Sequence, residues 1–272
     1  MIRTNYHSHT TCCDGRNTAE EMAAAAWKAG LLAYGFSGHC YAQHNLDFCM
    51  TPESTRQYVA DVHALREQYR GRMEIYLGVE AELHGEAPTF DRDYTIGSAH
   101  EVPVDGGYLS VDHTEEILRR GVAEHFGGDW YAMTCRYFTE MARILEVTGC
   151  DFIGHYDLPT KFNEGGRCFD ESDRRYRDTA LEVLEHLCRQ GGVFEINTGA
   201  MSRGYRTAPY PSEPLLRAIR AFGGAIVISS DAHSADAITA YFDQAAQLAL
   251  HCGFRTHRVL LDGRWQEVAI EP

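Results

Sequence analysis

Short apolar runs alternate with longer amphipathic stretches along most of the chain, and this alternation limits the possible folds more than any other feature. The strand-like runs are Ile2–His9, Leu32–Ser37, Glu74–Ala81, Tyr94–Ala99, Asp151–His155, Gly192–Asn197 and Ala225–Ser230. The helix-like stretches are Ala19–Ala29, Ser54–Tyr69, Glu115–Phe126, Trp130–Thr148, Ser172–Arg189, Glu213–Phe222 and Ala235–His251. Strands that alternate with helices of this length indicate βαβ units and a mainly parallel sheet. The sequence therefore predicts an α/β protein.

The seven strand-like runs follow one another without a linker between them, and 272 residues is a common length for one α/β barrel. We therefore expect a single domain over residues 1–272, with its strands in a closed or nearly closed barrel. A doubly wound open sheet is the alternative. Near the C-terminus, Val259–Leu261 and Trp265–Ile270 flank the turn signal Asp262-Gly263, which predicts a small terminal hairpin.

The composition excludes several classes of protein. Hydrophobic residues make up 44% of the chain and charged residues 24%, as in ordinary globular domains. No apolar run approaches the roughly 20 residues that span a bilayer. The net charge of −14 is a poor match for nucleic acid or an anionic membrane. Bound divalent metals would offset part of this charge, so an anionic small substrate remains possible. The sequence does not indicate an oligomeric state.

The N-terminus and the cysteines both favour a cytoplasmic protein. The chain begins Met1-Ile2-Arg3 and shows no apolar signal region. Its nine cysteines are an odd number, they are scattered, and they form no C-x-x-C pair. This usage is typical of reduced thiols in the cytoplasm and not of a disulfide framework.

Candidate metal ligands stand within or directly after six of the seven strand-like runs. In parallel α/β folds the carboxyl ends of the strands meet on one face, so side chains distant in sequence would converge there. Side chains two residues apart on a strand also point to the same side. The repetition favours a metal centre over separate structural histidines. The candidates are His7, His9, His39, Glu80, Glu82, His100, His155, Asp231 and His233.

These residues lie in a series of short motifs whose order is specific. The series resembles the PHP (polymerase and histidinol phosphatase) family, and most of all its stand-alone histidinol-phosphatase branch. The resemblance extends from Tyr6 to Ser234. The motifs are His7-x-His9, Cys13-Asp14-Gly15, Gly35-Phe36-Ser37-Gly38-His39, Gly78-Val79-Glu80, Ile96-Gly97-Ser98-Ala99-His100, Gly154-His155-Tyr156-Asp157, Glu195-Ile196-Asn197-Thr198-Gly199, Tyr210-Pro211-Ser212 and Ser230-Asp231-Ala232-His233.

The resemblance implies a distorted (β/α)7 barrel that holds two or three divalent transition-metal ions. The implied ligands of the first ion are His7, His9, Glu80 and Asp231. Those of the second are Glu80, His100 and His155, with Glu80 as the bridge, and those of the third are Asp14, His39 and His233. Glu82 is the alternative bridge, because it points the same way as Glu80. Imidazole and carboxylate ligands suit Zn, Fe or Mn.

The resemblance also implies an enzyme that hydrolyses a small phosphate monoester, with L-histidinol phosphate of histidine biosynthesis as the first candidate. The expected reaction is attack of a metal-bound hydroxide on phosphorus. His7, His9, Glu80, Asp231 and His233 form the implied catalytic set. Phosphate oxygens that face away from the metals require basic partners. Arg203, Lys161 and Arg206 follow strands on the expected site face and are the candidates, although each could be a solvated surface charge.

Four other functions remain open at this point. A PHP-type phosphatase could act on another phosphorylated metabolite, and a phosphodiesterase could act on nucleotides. An amidohydrolase-like hydrolase also has a His-x-His pair on its first strand, but commonly bridges its metals with a lysine. A non-catalytic metal-binding module belongs to a different class, and the near-complete ligand set argues against it.

Overall fold

A nearly closed parallel barrel is the centre of the computed structural model, which describes residues 2–271. Its strands lie in the order β1-β2-β3-β4-β7-β8-β9. The barrel closes where Ser8 pairs with Ala232, because the His9 amide donates to the Ala232 carbonyl at 2.9 Å. The predicted α/β barrel is therefore confirmed. The strands are β1 Thr4–Asn5, β2 Ala33–Phe36, β3 Glu74–Glu82, β4 Tyr94–Ser98, β5 Glu101–Val104, β6 Gly107–Ser110, β7 Phe152–Ile153, β8 Val193–Asn197, β9 Ala225–Ser229, β10 Thr256–Leu261 and β11 Arg264–Ala269.

Helices pack around the barrel through apolar residues at helical spacing. In the sixth helix, Ala180, Leu184 and Leu187 are all fully buried and lie on one face. The first helix begins at a capping box, in which Thr18 and Glu21 satisfy each other's backbone amides. The helices are α1 Ala19–Lys28, α2 Pro52–Gln68, α3 Glu115–Phe126, α4 Trp130–Met141, α5 Ile144–Thr148, α6 Arg174–Arg189, α7 Gly199–Ser202, α8 Glu213–Ala221 and α9 Phe242–His251.

Two predicted helices differ from the structure, and one hairpin of the structure was not predicted. The stretch predicted as one helix over 130–148 is two helices, α4 and α5, separated at 142–143. The helix predicted from residue 235 begins at Phe242, after a short 3-10 turn at Ala235–Ala237 and a left-handed residue, Tyr241. The β5–β6 hairpin was not predicted. Its turn signal, Asp105-Gly106, is present in the sequence, but Pro103 lies within β5 and argues against a strand there.

The predicted C-terminal hairpin, β10–β11, closes the end of the barrel where the strands begin. Its Trp265 ring packs edge-on against Tyr6, Tyr94 and Phe152 at centroid distances of 5.5 to 6.4 Å. Tyr94 crosses the barrel interior, and its hydroxyl lies 2.6 Å from the Tyr6 carbonyl and 2.8 Å from the Phe36 carbonyl, which share its single proton. Gly78 gives this ring its space, since a Cβ at that position would lie 2.2 Å from Tyr94 Cζ. The opposite end of the barrel stays free for a functional site.

The described residues show the features expected from the composition. Among them, no helix has the length and apolarity that a bilayer crossing requires. All nine cysteines are free thiols.

Candidate metal centre

Backbone pairing at the point of barrel closure brings two ligand pairs together. The Ala232 amide donates to the His7 carbonyl at 3.1 Å, and the His9 amide donates to the Ala232 carbonyl. This ladder sets His7 and His9 beside Asp231 and His233. The carboxylate of Asp231 consequently lies 3.5 Å from His7 Nε2 and 3.3 Å from His9 Nε2. The His-x-His and Asp-x-His motifs thus form one site across the closing seam.

Glu80 lies at the middle of the centre because β2 and β3 remain paired beyond the end of β2. The Cys40 amide donates to the Glu80 carbonyl at 2.8 Å, which places His39 next to Glu80. Glu80 Oε2 is 3.2 Å from His7 Nε2, 3.4 Å from His9 Nε2 and 3.0 Å from His39 Nδ1. Its other oxygen, Oε1, is 3.4 Å from His100 Nε2 and 3.0 Å from His155 Nε2. Glu80, and not Glu82, therefore has the position of a bridge.

Asp14 assembles a third group on the outer side of the centre. Its carboxylate lies 3.0 Å from His233 Nε2, 3.7 Å from His39 Nε2 and 3.5 Å from His9 Nδ1. The side chains of Asp14, His39 and His233 are partly exposed. In contrast, His7, His9 and Glu80 are buried. The structure thus brings together all nine predicted metal ligands.

Several donor atoms of the centre lack hydrogen-bond partners, and their separations match those of ligands around a metal ion. Among residues 2–271, His7 Nε2, His9 Nε2, Asp14 Oδ1 and Glu80 Oε2 are buried and make no hydrogen bond. Buried polar atoms of this kind are costly unless a partner satisfies them. Four groups of three or four ligands have all their donor atoms within 4.8 Å of one another. Donors that surround a zinc ion at about 2.0–2.2 Å are separated by roughly 3 to 3.5 Å, as many of these atoms are.

The charges inside the centre suit cation binding. Burial alone would raise the pKa of Glu80, but the imidazoles of His7, His39 and His100 outweigh it and hold that pKa well below its usual range. Burial, reinforced by His233 and His39, lowers the pKa of His9 to about 3. The carboxylate is therefore ionised near neutral pH and the His9 imidazole is neutral, which are the states that bind a metal. Burial would lower the pKa of His7, His39 and His100, but neighbouring carboxylates outweigh burial and raise the pKa of each, so a bound metal would displace protons from these rings.

Two further carboxylates orient the ligand histidines. Glu195 Oε1 lies 2.7 Å from His7 Nδ1, and Glu195 Oε2 accepts a hydrogen bond from the His155 amide at 3.0 Å. Glu82 Oε2 lies 2.7 Å from His100 Nδ1. Contacts of this type fix the ring orientation and leave Nε2 free for a metal. Glu195 was not among the predicted site residues. Its one available signal was its membership of the motif Glu195-Ile196-Asn197-Thr198-Gly199, in the middle of β8.

The ligand groups line a cavity of about 170 Å³ at the carboxyl ends of the strands. Arg203 and Lys161, two of the predicted substrate-binding residues, also line it. The guanidinium of Arg203 donates to the carbonyl and the carboxylate of Asp231 at 2.9 and 3.0 Å. These bonds hold Asp231 in a left-handed conformation, with φ of 49°. Arg203 therefore positions a ligand as well as facing the cavity.

Arg206, the third predicted substrate-binding residue, does not reach the cavity. Its side chain is 8% exposed and forms ion pairs with Glu164 and Glu171. It also donates to the Thr160 carbonyl at 2.7 Å. These contacts tie two loops together, and this is why the guanidinium points away from the metal centre.

Comparison with known proteins agrees with this geometry. The family model of the PHP domain matches residues 5–199. A probable histidinol-phosphatase of Deinococcus radiodurans is 30% identical over 266 residues, which cover 92% of this chain and 94% of that protein. The histidinol-phosphatase of Bacillus subtilis is 24% identical, over 86% of this chain and 95% of its own.

A solved structure shares the fold over almost its whole length. It is the histidinol phosphate phosphatase of Lactococcus lactis in complex with zinc, L-histidinol and phosphate. The two structures superpose with a TM-score of 0.66 and 18% sequence identity, over 97% of this chain and 98% of the other. Together with the match to the family model, these similarities show that the chain belongs to the PHP domain family.

Proposed function

We propose that this protein is a metal-dependent phosphatase that hydrolyses L-histidinol phosphate to L-histidinol and phosphate, a cytoplasmic step of histidine biosynthesis. The observation that carries the proposal is the convergence of nine imidazole and carboxylate side chains on one centre, seven of which line a single cavity. The relatives named histidinol-phosphatase match nearly the full chain, which supports this substrate. In this proposal residues 1–272 act as one PHP-type domain.

The ligands divide among two or three ions. His7, His9, Glu80 and Asp231 would hold the first ion, and Glu80 with His100 and His155 would hold the second. Asp14, His39 and His233 would hold the third. Imidazole and carboxylate donors suit zinc, and also manganese or iron. Zinc is the metal bound by the Lactococcus lactis protein, which favours it here.

The chain's own residues supply orientation and charge around these ions. When bound, divalent metals supply Lewis acidity that activates water near neutral pH and offsets charge on phosphoryl oxygens. Glu195 and Glu82 keep the His7 and His100 rings in place. Arg203 uses two of its N–H groups on Asp231 and keeps others for a phosphate oxygen. No side chain needs to act as a covalent nucleophile.

A turnover panel tests the proposal. Phosphate release is measured with L-histidinol phosphate, other phosphate monoesters and a phosphodiester, each with Zn and with Mn. We expect the highest kcat/KM with L-histidinol phosphate. We also expect His9→Ala to abolish turnover while His63→Ala, on the exposed side of α2, leaves it unchanged. Preference for a diester, or full turnover by His9→Ala, would contradict the proposal.

A further inference from the structure

One carboxylate in the cavity has no role in the metal centre. Within residues 2–271, five carboxylates line the cavity, those of Asp14, Glu80, Glu82, Asp112 and Asp231. Asp14, Glu80 and Asp231 belong to the ligand groups, and Glu82 holds His100. Asp112, which follows β6, remains to be explained.

Asp112 is held rigidly and faces the cavity as an anion. Lys161 Nζ donates to its backbone carbonyl at 2.6 Å and to its Oδ2 at 3.2 Å. The Ser110 hydroxyl donates to its Oδ1 at 3.3 Å. Burial opposes ionisation, but the Lys161 ammonium outweighs it and lowers the pKa of Asp112 to about 2. About a quarter of the side chain stays exposed, and a carboxylate accepts up to about four hydrogen bonds.

The surrounding wall is suited to a flat ring. Phe48, His113 and Tyr205 line the same cavity, and the Phe48 and His113 rings meet edge-on at a centroid distance of 4.9 Å. Lys161 lies 5.1 Å from the centroid of Tyr205, so the aromatic wall and the Lys161–Asp112 pair adjoin each other. An organic group bound here would therefore meet both an aromatic surface and a negative charge.

We propose that Asp112 binds the protonated amine of the leaving group and so selects phosphate esters of β-amino alcohols. The inference rests on the proposed function and adds a specificity residue to it. L-Histidinol carries its amine on the carbon next to the alcohol carbon, together with an imidazole ring. The phosphate of this substrate would face the metal ligands and Arg203. Its amine would contact Asp112, and its imidazole ring would pack against the aromatic wall. Lys161 is a positioning residue, because its ammonium holds Asp112 through two contacts.

The test compares two substrates in wild type and in Asp112→Asn. The substrates are L-histidinol phosphate and its desamino analogue, the phosphate ester of 3-(imidazol-4-yl)propan-1-ol. Wild type is expected to favour the amine-bearing substrate by about 10- to 150-fold in kcat/KM, the range for a hydrogen bond to a charged group. Asp112→Asn is expected to lose this preference, so that its kcat/KM values for the two substrates become similar. The matched control is Asp105→Asn, the same change at the exposed turn of the β5–β6 hairpin, which should behave as wild type.

The outcomes separate this inference from the proposed function. A wild type that hydrolyses both substrates equally well would overturn the role of Asp112 even if the variant does not fold, and would leave the phosphatase function standing. An amine preference that persists in a folded, metal-loaded Asp112→Asn would overturn it as well. If wild type hydrolyses other phosphate esters but not L-histidinol phosphate, the proposed function fails. The same comparison with phosphoethanolamine and propyl phosphate then decides whether Asp112 recognises an amine.

Discussion

Glu195 connects two ligand-bearing segments from behind the metal centre. It is fully buried, and its two oxygens contact the His7 ring and the His155 amide. Asn197 donates to the same carboxylate at 2.8 Å, so its lone pairs are largely satisfied. A carboxylate in this position keeps the proton on Nδ1 of His7 and makes Nε2 a stronger ligand. The affinity of the centre therefore depends on a residue that holds no metal itself.

Glu195→Gln is expected to weaken metal binding by about 10- to 100-fold, since the amide is neutral and makes the imidazole less basic. The zinc dissociation constant, measured by competition with a chelator, checks this. Glu182→Gln makes the same change on the exposed side of α6 and is expected to bind zinc as wild type does. Equal zinc affinity in Glu195→Gln and Glu182→Gln would show that Glu195 has only a packing role.

The sequence predicts which polar side chains converge better than it predicts the contacts that support them. The convergence of His7, His39 and Asp231 could be predicted because the topology of a parallel barrel requires the ends of its strands to meet. The roles of Glu195 and Arg206 depend on which rotamers fit between packed loops, and no local spacing encodes this. Arg206 illustrates the limit, because its two carboxylate partners lie 35 and 42 positions away in the chain.

The packing of the barrel strands requires glycines at the positions where the large side chain of Tyr94 crosses the barrel interior. Tyr94 on β4 passes over both Gly35 on β2 and Gly78 on β3, and a Cβ at either glycine would overlap its ring. The Tyr94 hydroxyl in turn joins β2 to the segment after β1, because its single proton is shared between the Phe36 and Tyr6 carbonyls. This arrangement keeps the first four strands in register at a level just below the metal ligands.

Gly78→Ala is expected to lower the free energy of unfolding by about 3 kcal/mol, because neither the barrel backbone nor the tyrosine ring can move without breaking hydrogen bonds. Denaturant unfolding of the metal-loaded protein checks this. Gly71→Ala is the control, since Gly71 has a φ of 72° and open space around it, and a cost of about 1 kcal/mol is expected there. Similar losses in the two variants would mean that Tyr94 is not tightly confined.

The pattern of elements could be predicted where hydrophobic periodicity was regular. All seven barrel strands and the terminal hairpin follow from it, although β1 and β7 are shorter than their apolar runs because they pair over only two residues. The β5–β6 hairpin and the break between α4 and α5 could not be predicted. Both depend on packing outside the barrel, and the hairpin leads directly to Asp112.

The two ends of the barrel have different roles: one is filled by packed aromatic side chains, and the other carries the candidate metal centre. The hairpin β10–β11 and the aromatic side chains beneath it close the end where the strands begin. At the other end, ligands from six strand ends surround the cavity. Metal ions would satisfy four buried donor atoms of the centre that make no hydrogen bond within residues 2–271, namely His7 Nε2, His9 Nε2, Asp14 Oδ1 and Glu80 Oε2. The net charge of −14 is compatible with an anionic substrate because bound cations would offset it locally.

The measurement that tests the central claim most directly is the metal content of the purified protein, followed together with turnover of L-histidinol phosphate. Ions are removed by dialysis against a chelator and then returned as zinc or manganese, and metal content and phosphate release are determined at each stage. Two or three ions per chain are expected, with loss of turnover as they leave and recovery as they return. A chain free of ions that still hydrolyses the substrate at full rate would contradict this claim.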